Sequence, residues 1–129
     1  MTHTFPVHVY YEDTDLAGIV YYANYLKFIE RARTEWIRGI GVDQTRVKDE
    51  QGIVFAVRRV EADYHKPAKF DDDLTVETSV EAMTGVRIVL KQDIKRDGEL
   101  LFSSIVTIVA LTETGAPARL PANIRQNLH

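Results

Sequence analysis

Cysteine is absent, which removes disulfides, a cysteine nucleophile and thiolate-held metals from consideration. Excess charge is lacking too: the formal net charge is -3, which argues against general nucleic-acid binding. No stretch approaches the ~20 apolar residues that a membrane helix needs. The opening MTHTFPVHVYYED has no long apolar run and meets charge early, so we expect no signal peptide and a cytoplasmic protein. Histidine is sparse, and none of His3, His8, His65 and His129 neighbours the acidic run Asp71-Asp72-Asp73 at a ligand-like spacing. That run reads as a solvated turn, and neither a metal site nor a cofactor is expected.

What remains is ordinary globular material. With 129 residues, 45% hydrophobic and 27% charged, the chain suits a single domain over 1–129 that buries its own core. Phe5, Val7, Val9 and Tyr11 alternate with Pro6, His8 and Tyr10, a period-two strand that Pro6 assigns to a sheet edge or a strand entry. His8 faces away from the valines and reads as a structural histidine. Asp13 and Asp15 then stop the strand. An EF-hand loop is excluded, because Ala17 stands where a carboxylate or amide ligand is required and Asn24 where a bidentate Glu is.

From Asn24 the period changes to about 3.6: Tyr25, Ile29, Ala32, Trp36 and Ile40 form one stripe, widened by Leu26, Phe28 and Ile37. Asn24 is the expected N-cap, and Gly39 or Gly41 the terminator. A short helix is expected within Val42 to Gln51. Ile53, Phe55 and Val57 alternate in one phase and Val60, Ala62 and Tyr64 in the other, which predicts a bulge at Arg58-Arg59. Leu74 to Ala82 reads as a half-exposed strand, Val86 to Lys95 as its successor, and Asp97-Gly98 as a tight hairpin turn. Leu100 to Leu111 is a covered strand, and the tail is irregular with a final helical turn. One long helix and one sheet of about five antiparallel strands pack most economically with the sheet wrapped around the helix, an α+β hotdog architecture.

The stretch Tyr11 to Gly39 carries the chemistry. A carboxylate near a helix N-terminus suits reaction at a carbonyl, because the free N–H groups there stabilise negative charge on oxygen. YEDTDLAGIVYYANY closely resembles the signature of hotdog acyl-CoA thioesterases of the 4-hydroxybenzoyl-CoA thioesterase superfamily. PVHVYYEDTD, FIERARTEW, FAVRRVEADYHKPAKFDDDL and RLPANI are similar to the branch associated with the bacterial Tol-Pal system. That branch usually has His directly after the tyrosine that ends its D-x-D-x-x-G-[IV]-V-Y run. This chain has Tyr22, as the aromatic-CoA thioesterases do.

The resemblance implies hydrolysis of a short-chain aliphatic or aromatic acyl-CoA to free acid and CoA. Asp15 would act as nucleophile or general base, with the backbone N–H near Tyr22 as oxyanion donor. It further implies that the substrate passes beside the bulged strand at Phe55, Ala56 and Val57, and that Arg87 meets the phosphates of CoA. Relatives form dimers or tetramers with sites at the dimer boundary, and the same is expected here. An acyl carrier protein or a lipid-synthesis partner is also considered. Two alternatives stay open: a hotdog dehydratase or hydratase, and a non-catalytic module that binds acyl-CoA or protein. The first generally needs a His paired with an acid, and no histidine lies in the DTD stretch.

Overall fold

A computed structural model describes residues 2–127, and one long helix lying against a single antiparallel sheet organises them. The elements in order are β1 (His3–His8), α1 (Asn24–Gly39), α2 (Gln44–Gln51), β2 (Val54–Tyr64), β3 (Asp73–Met83), β4 (Arg87–Arg96), β5 (Glu99–Leu111), β6 (Pro117–Ala118) and α3 (Ala122–Asn127). The sheet runs β1-β3-β4-β5-β2, with β6 added beside β5. This is the hotdog arrangement, with a sixth, two-residue strand in a tail whose sequence reads as irregular. The core is the apolar stripe of α1 (Tyr25, Phe28, Ile29, Ala32, Trp36 and Ile37) packed on the inward residues of the sheet.

The bulge falls where the change of phase places it: the β2–β5 register shifts between Val57 and Arg59. Pro6 lies in β1, which pairs only with β3, so its missing N–H faces an unpaired edge. Asp97 and Gly98 both adopt positive φ, 50° and 81°, the form of a two-residue hairpin that matches strand twist.

Several local expectations change. Asn24 is the first helical residue rather than the cap; its side-chain amide donates to the Asp13 carbonyl at 2.9 Å, so it ties two segments instead of closing its own helix end. Leu26 is exposed, because it lies at the margin of the stripe where the sheet no longer covers α1. A second bulge, between Val80 and Ala82, breaks the alternation of β3 and leaves Ala82 exposed. Asp71-Asp72-Asp73 is not merely a solvated turn. Asp72 pairs with Arg96 at 2.6 Å, while Asp71 and Asp73 hold the two ring nitrogens of His8 at 2.9 and 2.8 Å. Sequence spacing hides this, because β1 and β3 bring together residues far apart in the chain.

Candidate active site

Between β1 and α1 the chain folds into a small hairpin. It opens with a 3-10 turn at Tyr11–Asp13, where the Asp13 carboxylate accepts the Tyr10 N–H at 2.9 Å. Asp13 therefore shapes the turn. The strands of the hairpin are joined by Tyr21 N–H to the Asp13 carbonyl and Asp15 N–H to the Ile19 carbonyl, both at 2.9 Å. Gly18, at φ 78°, closes the tip by donating to the Asp15 carbonyl; the backbone conformation there suits glycine and little else. Lys69 and Ala68 hold the outer strand from the side, through an Ile19–Lys69 bridge and the Val20 N–H.

Asp15 sits at the neck of this hairpin with its side chain exposed. One carboxylate oxygen, Oδ1, accepts the Ala17 N–H at 2.9 Å. The other oxygen makes no hydrogen bond among the described residues, so the carboxylate is fixed in direction while keeping a free lone-pair face. Tyr22 lies where the hairpin turns into α1. Among the described residues its N–H makes no hydrogen bond, and its carbonyl accepts the Tyr64 hydroxyl at 3.0 Å. The Tyr22 ring is exposed and lies edge-on to Tyr64, which in turn packs against Tyr25 and Phe102. An aromatic column thus anchors the residue that carries the free N–H, through the peptide that follows it. Carboxylate and donor come from one hairpin, and the Asn24 bond to Asp13 sets its angle to the helix.

Phe55, Ala56 and Val57 line a cleft of about 240 Å³ between β2 and α1, closed on the helix side by Glu30, Arg33 and Trp36. The structure therefore brings these three residues beside α1. Arg87 lies elsewhere. It opens β4 on the sheet face opposite to Ile88, Leu90 and Ile94, with its backbone held by Thr84, and no hydrogen bond or ion pair joins it to the Asp15 hairpin among the described residues. Close to that strand entry, the Arg119 guanidinium covers Gly85, where an added Cβ would come within 3.4 Å of Nη2.

Sequence reasoning missed a polar group inside this region. Gln92 is fully buried under α1; its Nε2 donates to the Ile29 carbonyl and the Thr78 hydroxyl, both at 3.0 Å, and its Oε1 accepts Arg33 Nη1 at 2.9 Å. Burial lowers the pKa of the Arg33 guanidinium, against a smaller upward pull from Glu30. The signal was available: Arg33 stands one turn from both Ile29 and Trp36, a charged residue within the apolar stripe.

Residues 17–103 match the family model described as the thioesterase superfamily. The chain is 41% identical over 128 residues to the acyl-CoA thioesterase YbgC of Haemophilus influenzae, covering 98% of this chain and 93% of that protein. It is 39% identical to the acyl-CoA thioester hydrolase YbgC of Escherichia coli O157:H7, covering 92% and 90%. Among solved structures, a probable thioesterase from Bartonella henselae superposes with a TM-score of 0.88 at 36% identity, covering 94% of this chain and all of that one. A 4-hydroxybenzoyl-CoA thioesterase variant complexed with 4-hydroxybenzoyl-CoA superposes with a TM-score of 0.93 at 22% identity, covering 99% of each chain, a likeness of fold. Hotdog architecture, the DTD hairpin leading into α1 and these full-length matches agree: the chain belongs to the thioesterase superfamily.

Proposed function

We propose that this protein hydrolyses acyl-CoA thioesters to the free acid and CoA, acting on short-chain aliphatic or aromatic acyl groups. The observation that carries the reading is the pairing, on one hairpin, of an exposed carboxylate at Asp15 with an uncommitted backbone N–H at Tyr22. A thioester carbonyl near both would have its oxygen at the Tyr22 N–H, with the helix N-terminus behind it. Asp15 then either adds to the carbonyl carbon, expelling CoA thiolate and leaving a mixed anhydride for water to open, or takes a proton from the attacking water. The thiolate leaves readily in both routes, so no strong acid is required beside it.

Histidine placement favours hydrolysis over the hydratase alternative. Among the described residues no histidine is hydrogen-bonded to Asp15 or Tyr22: His8 pairs with Asp71 and Asp73 beside β3, His65 meets the Ser103 hydroxyl at 2.8 Å, and His3 Nδ1 has no partner. His129 lies outside the described residues. The acyl group would run beside Phe55, Ala56 and Val57, and Arg87 would meet CoA phosphates where the pantetheine arm emerges. The β2 edge, with Val57 and Val60 exposed along it, supports a homodimer or tetramer that encloses the site. Thioesters of an acyl carrier protein would present the same carbonyl and belong in the same panel.

Asp15→Asn tests the assignment cleanly, because the amide oxygen can still accept the Ala17 N–H and keep the turn. Thiol release across an acyl-CoA panel should fall by about 100-fold or more with an unchanged melting temperature. Near-wild-type turnover in that variant would remove Asp15 from the mechanism. Binding of CoA without hydrolysis of any thioester would instead support the non-catalytic module.

A further inference from the structure

Arg33 is an unusual residue for the floor of an acyl cleft. Its guanidinium is partly buried between α1 and the sheet, and its hydrogen-bond partner is the neutral amide oxygen of Gln92. Among the described residues no carboxylate lies within ion-pairing distance of it. Burying a cation with so little compensation is costly, and an apolar side chain would fill the same place without that cost. Among the described residues the remaining N–H groups of the fork make no hydrogen bond. Arg33 lines both the cleft that holds Phe55, Ala56 and Val57 and, toward the helix N-terminus, a second opening of about 490 Å³ that Leu26, Ile29, Val57 and Val60 also line.

The two openings share Glu30, Arg33 and Val57 and run along α1 from Leu26, four residues after Tyr22, to Ile37. At about 1.5 Å per residue, Arg33 stands roughly 13 Å along the axis from Asn24. Its side chain leans back toward the N-terminus, as helical side chains do, since Gln92 bridges it to the Ile29 carbonyl one turn earlier. Leu26, Ile29, Val57 and Val60 give the opening nearer the helix N-terminus apolar walls, and Arg33 lies where the two openings meet. Glu30 also lines both, but the Glu30 carboxylate accepts the Thr34 hydroxyl at 3.4 Å, and Lys27 and Arg31 at the rim leave the local balance positive.

We infer that Arg33 is a specificity residue that receives the far end of the acyl group, and that among acyl chains longer than the short-chain class the cleft prefers those ending in a carboxylate. The apolar walls take the methylenes, and the fork takes the terminal carboxylate with the N–H groups that Gln92 leaves free. This rests on the hydrolase reading for its biological meaning, but not for its test.

The test compares binding of three non-hydrolysable thioethers to the intact protein by calorimetry: S-octyl-CoA, its ω-hydroxy counterpart and its ω-carboxy counterpart. The carboxylate should bind at least about tenfold more tightly than the methyl-terminated ligand, the worth of one charge-assisted bond. Arg33→Gln should abolish most of that preference, and Arg33→Lys should keep part of it. Equal binding of the carboxy and methyl ligands by the unaltered protein would overturn the inference. So would an Arg33→Gln variant that weakens all three alike, since that is the mark of a purely structural arginine. Thiol release from octanoyl-CoA by the same preparation reports separately on hydrolysis, so failure of the hydrolase reading would not be mistaken for failure of this one.

Discussion

Replacing Gln92 by leucine probes the polar knot beneath α1. The side chain is fully buried and makes three hydrogen bonds: to the Ile29 carbonyl, to the Thr78 hydroxyl and from Arg33. Losing two neutral bonds costs about 1 kcal/mol each, and losing the charge-assisted one costs about 2 kcal/mol. Leucine of similar volume returns roughly 1–2 kcal/mol, because no amide has to be stripped of water. The expected net loss is therefore about 2–3 kcal/mol, a fall in melting temperature of about 10 °C for a domain of this size. Urea denaturation followed by tryptophan fluorescence reads it directly, since Trp36 is the only tryptophan and lies buried on the same helix. The double variant Gln92→Leu/Arg33→Met should lose less than the sum of the two single changes, with a coupling of about 1–2 kcal/mol, because the cation is no longer left without its acceptor. A Gln92→Leu protein as stable as the parent, or strictly additive energies, would show that the knot contributes nothing to holding α1.

The His8 pKa is raised chiefly by the Asp73 hydrogen bond, opposed by some desolvation and aided by Asp71, so its contribution is fully present below about pH 6.5 and is lost as pH rises through the higher folded value. The urea midpoint should accordingly decline as pH rises above about 6.5, and His8→Gln should flatten that decline. Asn24→Ala removes the tie between α1 and the hairpin; we expect about 1 kcal/mol of lost stability and a larger proportional loss of kcat than of substrate affinity in steady-state assays. Val60→Lys places charge on the exposed β2 edge and should shift the proposed dimer or tetramer toward monomer in analytical ultracentrifugation, with activity falling as dissociation proceeds.

Much of the fold is legible because its signals are local. The periodicity of α1, the Asp97-Gly98 turn and the phase change at Arg58 each depend on residues close together in the chain. What escapes is what the sheet brings together. His8 meets Asp71 and Asp73 only because β1 pairs with β3, and Gln92 reaches Arg33 only because β4 passes under α1. The second bulge in β3 was equally hidden, since Val80, Glu81 and Ala82 keep an unbroken alternation of apolar and polar side chains. For the site, the DTD run was readable as a turn beside a helix. That the Tyr22 N–H is left without a partner depends on the hairpin's pairing, which composition does not encode.

That hairpin has a consequence for how such a protein can change. Its closing contacts, Asp13 with Tyr21 and Asp15 with Ile19, are of very short range in sequence, so the loop-closure entropy of assembling the proposed reactive pair is small. The proposed acyl cleft is the opposite case: its walls come from α1, β2, β4 and β5 and exist only once the long-range pairing is complete. Reactivity and selectivity are thus drawn from different length scales of the same chain. Substitutions that reshape the cleft can retune which acid is released while leaving the atoms that release it where they were.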